Sequence, residues 1–547
     1  MSTLDRRAYQ MFPVLDAAQM MTARRFASGP ERHFESGESL YAIGERGAPS
    51  WLVVAGTVDV LRRNGLNEEV AVTTYKVGQF SGEINQLAGR PSIARGRAGP
   101  DGCTALPFDP AHLRALMIGS AELGEIVMRA LILRRVELIE DAGAGTILIG
   151  TPGSPDLLAL QGFLTRSAYP HLVLDVDTDP EGRAMVDRLG ILPGEMPLVV
   201  CPDGGFLRNP AVSEMAACLG MVPSLDSNTT YDVAIVGAGP AGLAAAVYAA
   251  SEGLSVIVLD ERATGGQAGA SARIENYLGF PTGISGQALA GRAFSQALKF
   301  GAEMAIPLKV ERLDCSAELL AIELVDDQRI TARTVVIASG ARYRRPDVPN
   351  LNIFEGNGVS YWASPIEARL CAGEEIALVG GGNSAGQAVA FLAPHVKRLH
   401  LFARRPLSET MSSYLVDRIA ALPNVEMHVG SEVIALEGDA RSGLAHATFR
   451  NLADGSTHRC DLRHLFLFIG ADPHADWLQG CVDTDDRGFV ITGQGPHPLE
   501  TSKSGVFAIG DVRAGSTKRV AAAVGEGAAV VAQIHAKIAN SAARGSS

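Results

Sequence analysis

The hydrophobic pattern is most regular between residues 231 and 260. The apolar run 233–236 predicts a strand, an alanine-rich segment after it predicts a helix, and the run SVIVLDE predicts a second strand. Between the first strand and the helix lies a turn with the GxGxxG spacing, formed by Gly237, Gly239 and Gly242. Asp260 ends the second strand, where a dinucleotide-binding βαβ unit places a carboxylate for ribose hydroxyls. This arrangement predicts a pyrophosphate site at the positive end of the helix.

The same pattern returns in EIALVGGGNSAGQAVAFL, residues 375–392. Its turn carries Gly380, Gly382, Asn383, Ser384 and Ala385. The next apolar run, RLHLFARR, ends in Arg404 and Arg405, where an enzyme that uses NAD would show an acid. A guanidinium fork matches the 2′-phosphate of NADPH, although two solvated surface arginines are the alternative. Two dinucleotide units in one chain are typical of a flavin partnered by a nicotinamide cofactor.

Two further units precede these motifs. Residues 1–142 alternate short strands such as SWLVVAGTVDVLRR with glycine turns and end in the helical segment 119–140. Residues 143–222 alternate three strands (TILIG, LVLDVD and MPLVVC) with three helices. The polar segment 223–230 is predicted to be a linker.

Composition narrows the class of protein. A length of 547 residues predicts three or four domains, and 47% hydrophobic residues with 60 glycines fit a large α/β protein. The net charge of -12 and the lack of a basic block disfavour nucleic acid as a partner. No apolar run is long enough to cross a bilayer and the N-terminus lacks the apolar core of a signal peptide, so we expect a cytoplasmic protein without a membrane partner.

Cysteine and histidine usage adds two expectations. The seven cysteines are scattered singly, and an odd number without close pairs predicts reduced thiols. Neither cysteines nor histidines show the spacing of metal ligands, so no metal site is predicted.

From residue 231 to about 542 the chain resembles thioredoxin reductase, at several separate motifs. The stretches are GGQAGASARIENYLGFP (265–281), VVIASGA (335–341), GVFAIGDVRAGSTKRVAAAVGEGAAV (505–530) and FIGADP (468–473). The resemblance implies an FAD-binding domain of residues 231–345 and 466–542, interrupted by an NAD(P)H-binding domain of residues 346–465. It also implies a homodimer.

The resemblance assigns cofactor contacts. The FAD contacts are expected at Gly237, Gly239, Pro240, Ala241, Gly242, Asp260, Gly266, Gln267, Asn276, Gly510, Asp511, Arg519, Val520 and Ala521. Asp511 would hold the ribityl chain of FAD. Arg519, Val520 and Ala521 would line the edge of the isoalloxazine ring. The NADPH contacts are expected at Gly380, Gly382, Asn383, Ser384, Ala385, Arg404, Arg405 and Gly470.

One departure bears on the chemistry. Where thioredoxin reductases read Ser-Tyr-Cys-Ala-Thr-Cys-Asp, this chain has SYWASPI, so Trp362 and Pro365 replace the redox cysteines and the acid moves to Glu367. Cys371 is too far along to pair with a neighbour. We therefore expect hydride transfer from NADPH to FAD and then directly to oxygen, a quinone or another small oxidant, with no side-chain nucleophile. Alternatives are a thioredoxin-disulfide reductase, as the family implies, or a slow-turnover redox-sensing flavoprotein.

Residues 1–142 resemble the cyclic-nucleotide-binding domain of cAMP receptor proteins, which is a β-barrel-like fold. The segment GQFSGEINQLAGRPSIARGRA (78–98) carries the likeness, with Glu83 at the ribose-binding position. Ser92 stands where that family has a phosphate-clamping arginine, and Arg90 or Arg95 could replace it only in a rearranged loop. We expect weak cyclic-nucleotide binding or none, because losing a guanidinium–phosphate pair costs about 1.5–3 kcal/mol.

Residues 143–222 resemble a thioredoxin or glutaredoxin fold, in which the proline at position 197 is cis. The place of the redox Cys-x-x-Cys reads Thr151, Pro152, Gly153 and Ser154. Without a thiolate this unit has no nucleophile for disulfide exchange, and Cys201 is expected to be buried filler. The predicted fold is therefore multidomain: a barrel-like unit, a thioredoxin-like α/β unit and two Rossmann-type α/β domains.

Overall fold

The computed structural model describes residues 7–63, 69–82, 84–140, 146–167, 169–202, 204–223, 225–317, 319–325, 328–439 and 441–545. No helix within these ranges combines the length and the apolar character needed to cross a lipid bilayer.

The N-terminal unit is an antiparallel sheet covered by helices. Its strands are Arg32–Phe34, Ser39–Tyr41, Ser50–Arg63, Glu69–Tyr75 and Arg95–Phe108. Its helices are Ala8–Met11, Ala17–Arg24, Pro110–Gly119 and Ala121–Glu140, with a 3₁₀ turn at Ile84–Ala88. The long strand Arg95–Phe108 pairs with three others, and the outer strands Arg32–Phe34 and Glu69–Tyr75 do not pair with each other. The predicted barrel is therefore wrong for the described residues, since the sheet stays open.

The second unit is a four-stranded sheet with three helices. The sheet order is His171–Asp175, Thr146–Gly150, Leu198–Val200 and Phe206–Arg208. The helices are Pro155–Arg166, Pro180–Leu189 and Val212–Cys218, with a 3₁₀ turn at Pro193–Glu195. The three predicted strands and helices are present, and the structure adds a fourth strand, Phe206–Arg208, that the sequence analysis does not predict. The Met196–Pro197 peptide bond is cis, as the resemblance implies.

The first nucleotide-binding domain is built on a seven-stranded sheet. Its strands are Thr230–Val236, Val256–Leu259, Glu303–Ala305, Val310–Asp314, Leu320–Leu324, Arg329–Ile337 and Val506–Ala508. Its helices are Pro240–Ser251, Gly266–Gly269, Gly286–Lys299 and Val520–Gly545, with 3₁₀ turns at Asp476–Leu478 and Gly510–Val512. Strand Val506–Ala508 runs parallel to Arg329–Ile337, although about 170 residues separate them, so the chain returns to this sheet after an insertion.

The insertion is a second α/β domain. Its parallel sheet has the order Val359–Ser360, His464–Leu467, Glu375–Val379, Arg398–Ala403 and Val425–Val429. A three-stranded sheet, Ser431–Asp439, Gly443–Asn451 and Thr457–Asp461, packs beside it. The helices are Leu351–Phe354, Pro365–Leu370, Asn383–Leu392 and Ser413–Ala420, with 3₁₀ turns at Ala393–His395 and Leu407–Glu409.

A two-stranded ribbon marks where the chain enters and leaves the insertion. Strand Ala341–Tyr343 pairs with Ala471–Pro473 in antiparallel register. Strand His464–Leu467 belongs to the sheet of the insertion, so the predicted boundary between residues 465 and 466 falls inside a strand. The structure places that boundary after Leu467.

The accessory units pack directly on the first nucleotide-binding domain. One continuous group of buried apolar side chains joins the N-terminal helices, through Leu113 and Leu116, to Ala297 and Leu298 of helix Gly286–Lys299. From the second unit, the carbonyl of Thr165 accepts a hydrogen bond of 2.7 Å from Gln287 Nε2. Both units are therefore in contact with the domain that carries the first glycine turn.

The cysteines correct one expectation. Cys201 pairs with Cys218 and Cys315 pairs with Cys481 as disulfides, with Cα–Cα distances of 6.1 Å in both cases. The prediction of reduced thiols is wrong at these four positions, and Cys201 is not mere filler. The partners are 17 and 166 residues apart, so the fold brings them together and their spacing does not reveal the pairs.

Candidate functional site

A cavity of about 970 Å³ lies where the first nucleotide-binding domain, the insertion and the second unit meet. Twelve of the residues predicted to contact FAD line it: Gly237, Gly239, Pro240, Ala241, Asp260, Gly266, Gln267, Asn276, Gly510, Asp511, Arg519 and Val520. Asn383 and Ser384, predicted to contact NADPH, line the same cavity. Segments more than 280 residues apart in the chain thus converge on one space.

Several predicted site residues lie outside the lining. They are Gly242, Gly380, Gly382, Ala385, Arg404, Arg405, Gly470 and Ala521. Arg404 and Arg405 are exposed and follow directly on strand Arg398–Ala403. The cavity therefore includes most of the predicted FAD contacts and the start of helix Asn383–Leu392. The predicted contacts to the 2′-phosphate, Arg404 and Arg405, do not line it.

The first glycine turn needs its glycines for steric reasons. A Cβ on Gly237, which has a φ of 115°, would overlap the carbonyl oxygen of Ala338. A Cβ on Gly242 would overlap the carbonyl oxygen of Gly237, so the helix can approach the strand only without a side chain there. Helix Pro240–Ser251 begins at this turn, and Gly239, Pro240 and Ala241 at its start line the cavity, as an anion site at a helix N-terminus requires.

Asp260 holds the turn through its carboxylate. One oxygen accepts hydrogen bonds from the backbone N–H groups of Arg262 (2.8 Å) and Ala263 (3.2 Å), and the other accepts from Ala238 (2.9 Å). Burial raises the pKa of Asp260, and the three amide donors act in the opposite direction. The Asp260 carboxylate therefore links the segment that follows the first strand to the segment that follows the second. Its contact with a ribose stays a prediction.

The second turn repeats the arrangement. A Cβ on Gly380 would lie 2.5 Å from the carbonyl oxygen of Phe468. Asn383 Oδ1 accepts a 2.7 Å hydrogen bond from the N–H of Ser412, which ties helix Ser413–Ala420 to the turn. Arg418 on that helix donates to Glu275 of the first domain over 2.7 Å, and both side chains line the cavity. This contact joins the two nucleotide-binding domains at the cavity wall.

The C-terminal segment also lines the cavity, and it packs against the start of helix Pro240–Ser251. Glu526 accepts hydrogen bonds from the N–H of Gly510 (2.6 Å) and from Arg513 (2.5 Å), which fixes the loop that carries Asp511. Burial raises the pKa of Asp511, and the nearby Lys518 lowers it. Lys518 Nζ donates to the carbonyl of Asp511 over 2.6 Å. An ammonium and a carboxylate thus stand together beside the cavity.

Trp362, which is predicted to replace the first redox cysteine, lines the cavity. Its Nε1 donates a 2.9 Å hydrogen bond to Glu367, which also accepts from the N–H of Ser364 in a capping box. Pro365 is exposed at the first turn of helix Pro365–Leu370 and does not line the cavity. Cys371 is buried, and burial raises the pKa of its thiol to about 11. Within the described part of the chain, no cysteine lines this cavity.

The second unit contributes lining residues that sequence reasoning missed. Phe163, Arg166 and Val212 reach the cavity from helices Pro155–Arg166 and Val212–Cys218. The Arg166 guanidinium lies 5.7 Å from the centre of the Trp362 ring. Its pKa is lowered, first by burial and then by the positive charge of Arg262. No local signal marks this residue, since an arginine in the last turn of a helix is ordinary.

The cyclic-nucleotide position holds no arginine clamp among the described residues. Ser92 donates its hydroxyl to the carbonyl of Ala94 over 2.8 Å. Arg95 pairs with Glu69 at 3.1 Å, and the Arg90 guanidinium lies 5.5 Å from the ring centre of Phe294 in the neighbouring domain. Glu83 lies outside the described residues. Weak or absent cyclic-nucleotide binding stays a prediction.

The chain was compared with protein families and with known proteins. Residues 231–527 match the family described as pyridine nucleotide-disulphide oxidoreductase. The chain is 32% identical over 304 residues to the thioredoxin reductase of Mycolicibacterium smegmatis, covering 55% of this chain and 95% of that protein. It is 31% identical over 301 residues to NADPH-dependent thioredoxin reductase 3 of Arabidopsis thaliana, covering 54% of this chain and 56% of that protein.

Among solved structures, thioredoxin reductase of Lactococcus lactis in its FR conformation superposes with a TM-score of 0.54 at 27% identity. The match covers 57% of this chain and all of that one. Thioredoxin reductase of T. acidophilum gives a TM-score of 0.52 at 29% identity, over 56% of this chain and 98% of that one.

The two Rossmann-type domains and their shared cavity define an FAD-dependent oxidoreductase, and the matched residues make up more than half of the chain. The chain belongs to the pyridine nucleotide-disulphide oxidoreductase family, and its C-terminal part is of the thioredoxin-reductase type, with FAD and NADPH as cofactors. The match spans only about half the length of some curated relatives, such as the Arabidopsis protein, and leaves the two N-terminal units uncovered.

The lining fits FAD on structural grounds. The glycine turn admits a pyrophosphate at the start of helix Pro240–Ser251, because side chains at Gly237 and Gly242 would overlap backbone oxygens. Asp511 lines the same cavity, and its backbone carbonyl accepts a hydrogen bond from Lys518. The volume of about 970 Å³ lies at the upper end of the range usual for small-molecule sites.

Proposed function

We propose that this protein is an NADPH-dependent flavoprotein oxidoreductase that delivers electrons to a small non-disulfide acceptor, such as oxygen, a quinone or another small oxidant. This proposal rests on the cavity wall. Trp362 lines the wall at the position predicted for a redox cysteine, and no cysteine of the described residues lines it. Disulfide reduction by a protein needs a thiolate at the redox centre and a second thiol to resolve the mixed disulfide. This wall supplies neither group.

The bound FAD supplies the redox chemistry, taking hydride from NADPH. The chain itself supplies binding and orientation. The amides at the start of helix Pro240–Ser251 would hold the pyrophosphate of FAD, and Asp511 would hold its ribityl chain. Arg404 and Arg405, exposed at the end of strand Arg398–Ala403, would hold the 2′-phosphate of NADPH.

The acceptor would meet an aromatic and cationic wall. Trp362 offers a flat apolar surface, and Arg166 places a guanidinium 5.7 Å from its ring centre. Arg166 Nε is buried and lacks a hydrogen-bond partner among the described residues. A planar acceptor that carries negative charge would satisfy both features, through stacking on the ring and a charge-assisted hydrogen bond to the guanidinium.

A second candidate is a thioredoxin-disulfide reductase, because the printed names of the relatives are those of thioredoxin reductases. The disulfide Cys201–Cys218 lies in the unit that resembles thioredoxin. Helix Val212–Cys218 carries one of these cysteines, and Val212 at its start lines the cavity. Neither Cys201 nor Cys218 is itself part of the lining. The first proposal therefore accounts better for the wall that the acceptor reaches.

The test is steady-state NADPH consumption by the FAD-loaded full-length protein, followed with oxygen, a quinone, and an aromatic disulfide dye with and without thioredoxin. We expect many turnovers with oxygen or the quinone, and no thioredoxin-dependent reduction of the dye. Thioredoxin-dependent dye reduction would support the second candidate. Consumption that stops after one equivalent of NADPH per flavin would instead indicate a redox sensor.

The matched control is Cys371→Ser, because Cys371 is the free cysteine nearest along the chain to Trp362. Its side chain is fully buried and its thiol has a raised pKa, so the variant should keep the same acceptor profile. Dye reduction that is present in the wild type and lost in this variant would place a thiol in the electron path and contradict the proposal.

A further inference from the structure

Two histidines and a glutamate converge on one face of the inserted domain, away from the cavity. The parallel strands Arg398–Ala403 and Val425–Val429 pair so that His400 lies opposite Glu426 and Phe402 lies opposite His428. Phe402 stacks on Phe449 of the three-stranded sheet, with ring centres 3.5 Å apart. The histidines therefore lie on the face that this smaller sheet covers.

The three side chains present their donor atoms to a common point. His400 Nδ1 is 3.2 Å from His428 Nε2, and the carboxylate oxygens of Glu426 lie 3.6 Å from the first nitrogen and 3.7 Å from the second. Zinc binds imidazole nitrogen at about 2.0–2.1 Å and carboxylate oxygen at about 2.0–2.2 Å in tetrahedral sites, which separates neighbouring ligand atoms by about 3.3 Å. The distances to Glu426 run to two different oxygens, Oε2 for His400 and Oε1 for His428, and each of the three separations is within a few tenths of an ångström of that value.

The two imidazoles are largely shielded from solvent. His400 is 7% exposed, and the side chain of His428 is 18% exposed. The other ring nitrogen of His400, Nε2, lies 3.9 Å from a carboxylate oxygen of Glu375. This separation is longer than a hydrogen bond, so Glu375 acts on the ring only through its negative charge.

We propose that His400, Glu426 and His428 bind a divalent transition-metal ion of the zinc class. His458 of strand Thr457–Asp461 lies beside the group, with its ring centre 5.6 Å from that of His428 and 6.4 Å from that of His400. Such an ion would join the neighbouring strands Arg398–Ala403 and Val425–Val429 at the edge of the parallel sheet. Two nitrogens and one oxygen favour zinc, nickel or copper over magnesium, which prefers oxygen ligands.

The sequence does not reveal this site, because its ligands come from two neighbouring strands. His400 lies in RLHLF, and Glu426 and His428 lie at alternate positions in VEMHV. The proposal is independent of the identity of the electron acceptor. It concerns metal content and stability, which can be measured without any turnover.

The test uses the FAD-loaded full-length protein after treatment with a chelator. Calorimetric titration with ZnCl₂ should show one ion bound per chain, and MgCl₂ should show none. Titration with CoCl₂ should give the intense visible bands of tetrahedral Co²⁺. Zn²⁺ should also raise the melting temperature, because an ion that binds only the folded state stabilises it.

The diagnostic variants are Glu426→Gln and His428→Gln, with His446→Gln as the matched control. His446 forms a 2.8 Å pair with Asp461 in the same domain and, among the described residues, belongs to no comparable group of ligands. Each diagnostic variant should weaken Zn²⁺ binding by about 100-fold or more, since even outer contacts of metal sites contribute about 10–100-fold. The side chain of Glu426 is half exposed, so Glu426→Gln should fold. This variant therefore tests the site even if His428→Gln does not fold. Zn²⁺ binding that is absent in the wild type, or equal in wild type and Glu426→Gln, would overturn the proposal.

Discussion

The guanidinium of Arg166 lies 5.7 Å from the ring centre of Trp362, although the two residues belong to different units of the chain. Arg166 ends a helix of the second unit, and Trp362 begins the segment before helix Pro365–Leu370 of the insertion. A cation over an indole ring is an attractive contact that strengthens on desolvation. The second unit therefore contributes to the cavity wall that contains Trp362.

Replacing Arg166 should weaken the use of anionic acceptors. In Arg166→Met we expect the KM for ferricyanide to rise by about tenfold or more, because a charge-assisted contact contributes about 1.5–3 kcal/mol. The KM for a neutral quinone should change less. The measurement is steady-state kinetics with both acceptors, beside Arg188→Met, which removes an exposed arginine from the same unit. Equal changes for both acceptors would mean that Arg166 only supports the fold.

Nicotinamide preference should depend on Arg404 and Arg405. In the variant Arg404→Ala/Arg405→Ala the KM for NADPH should rise by about 10–100-fold, because the charged fork for the 2′-phosphate is lost. The KM for NADH, which lacks that phosphate, should stay within a few-fold. Initial rates with each cofactor test this. A wild-type protein that uses both cofactors equally would show that the two arginines do not contact the 2′ position.

Flavin retention should depend on the close approach of helix and strand at Gly242. A Cβ there would overlap the carbonyl oxygen of Gly237, so Gly242→Ala should destabilise the FAD-loaded domain by about 1–3 kcal/mol. Thermal release of FAD, followed by flavin fluorescence, should occur at a lower temperature. Gly525→Ala is the control, because a Cβ at that helical position meets open space. Equal release temperatures for wild type and Gly242→Ala would contradict the steric argument.

The N-terminal unit should bind cyclic nucleotides weakly or not at all. Ser92 stands at the clamp position with its hydroxyl committed to Ala94, and Arg95 is paired with Glu69. Calorimetric titration with cAMP and cGMP should give no heat of binding at micromolar ligand. Low-micromolar binding would show that this loop rearranges. In that case Glu69→Gln should tighten binding further if Arg95 is the replacement clamp.

Local patterns predicted much of the fold. Each strand–turn–helix unit is one continuous segment, and a side chain at the critical glycines of its turn would overlap a backbone oxygen. The glycine spacing in the sequence therefore indicates the geometry of the turn. The open sheet of the N-terminal unit, the two disulfides and the position of Arg166 depend on contacts between distant segments. The His400, Glu426 and His428 cluster depends on strand register. Such relationships arise only after the chain has folded, and a single sequence does not display them.

We propose that the electron path contains FAD and no coupled dithiol. The most direct measurement is an anaerobic titration of the full-length protein with NADPH, following flavin absorbance. Each NADPH carries two electrons and FAD accepts two, so we predict complete bleaching of the flavin at one equivalent of NADPH, with no free thiols appearing. A requirement for a second equivalent, with two new thiols detected per chain, would show that a disulfide such as Cys201–Cys218 takes electrons and would contradict this account.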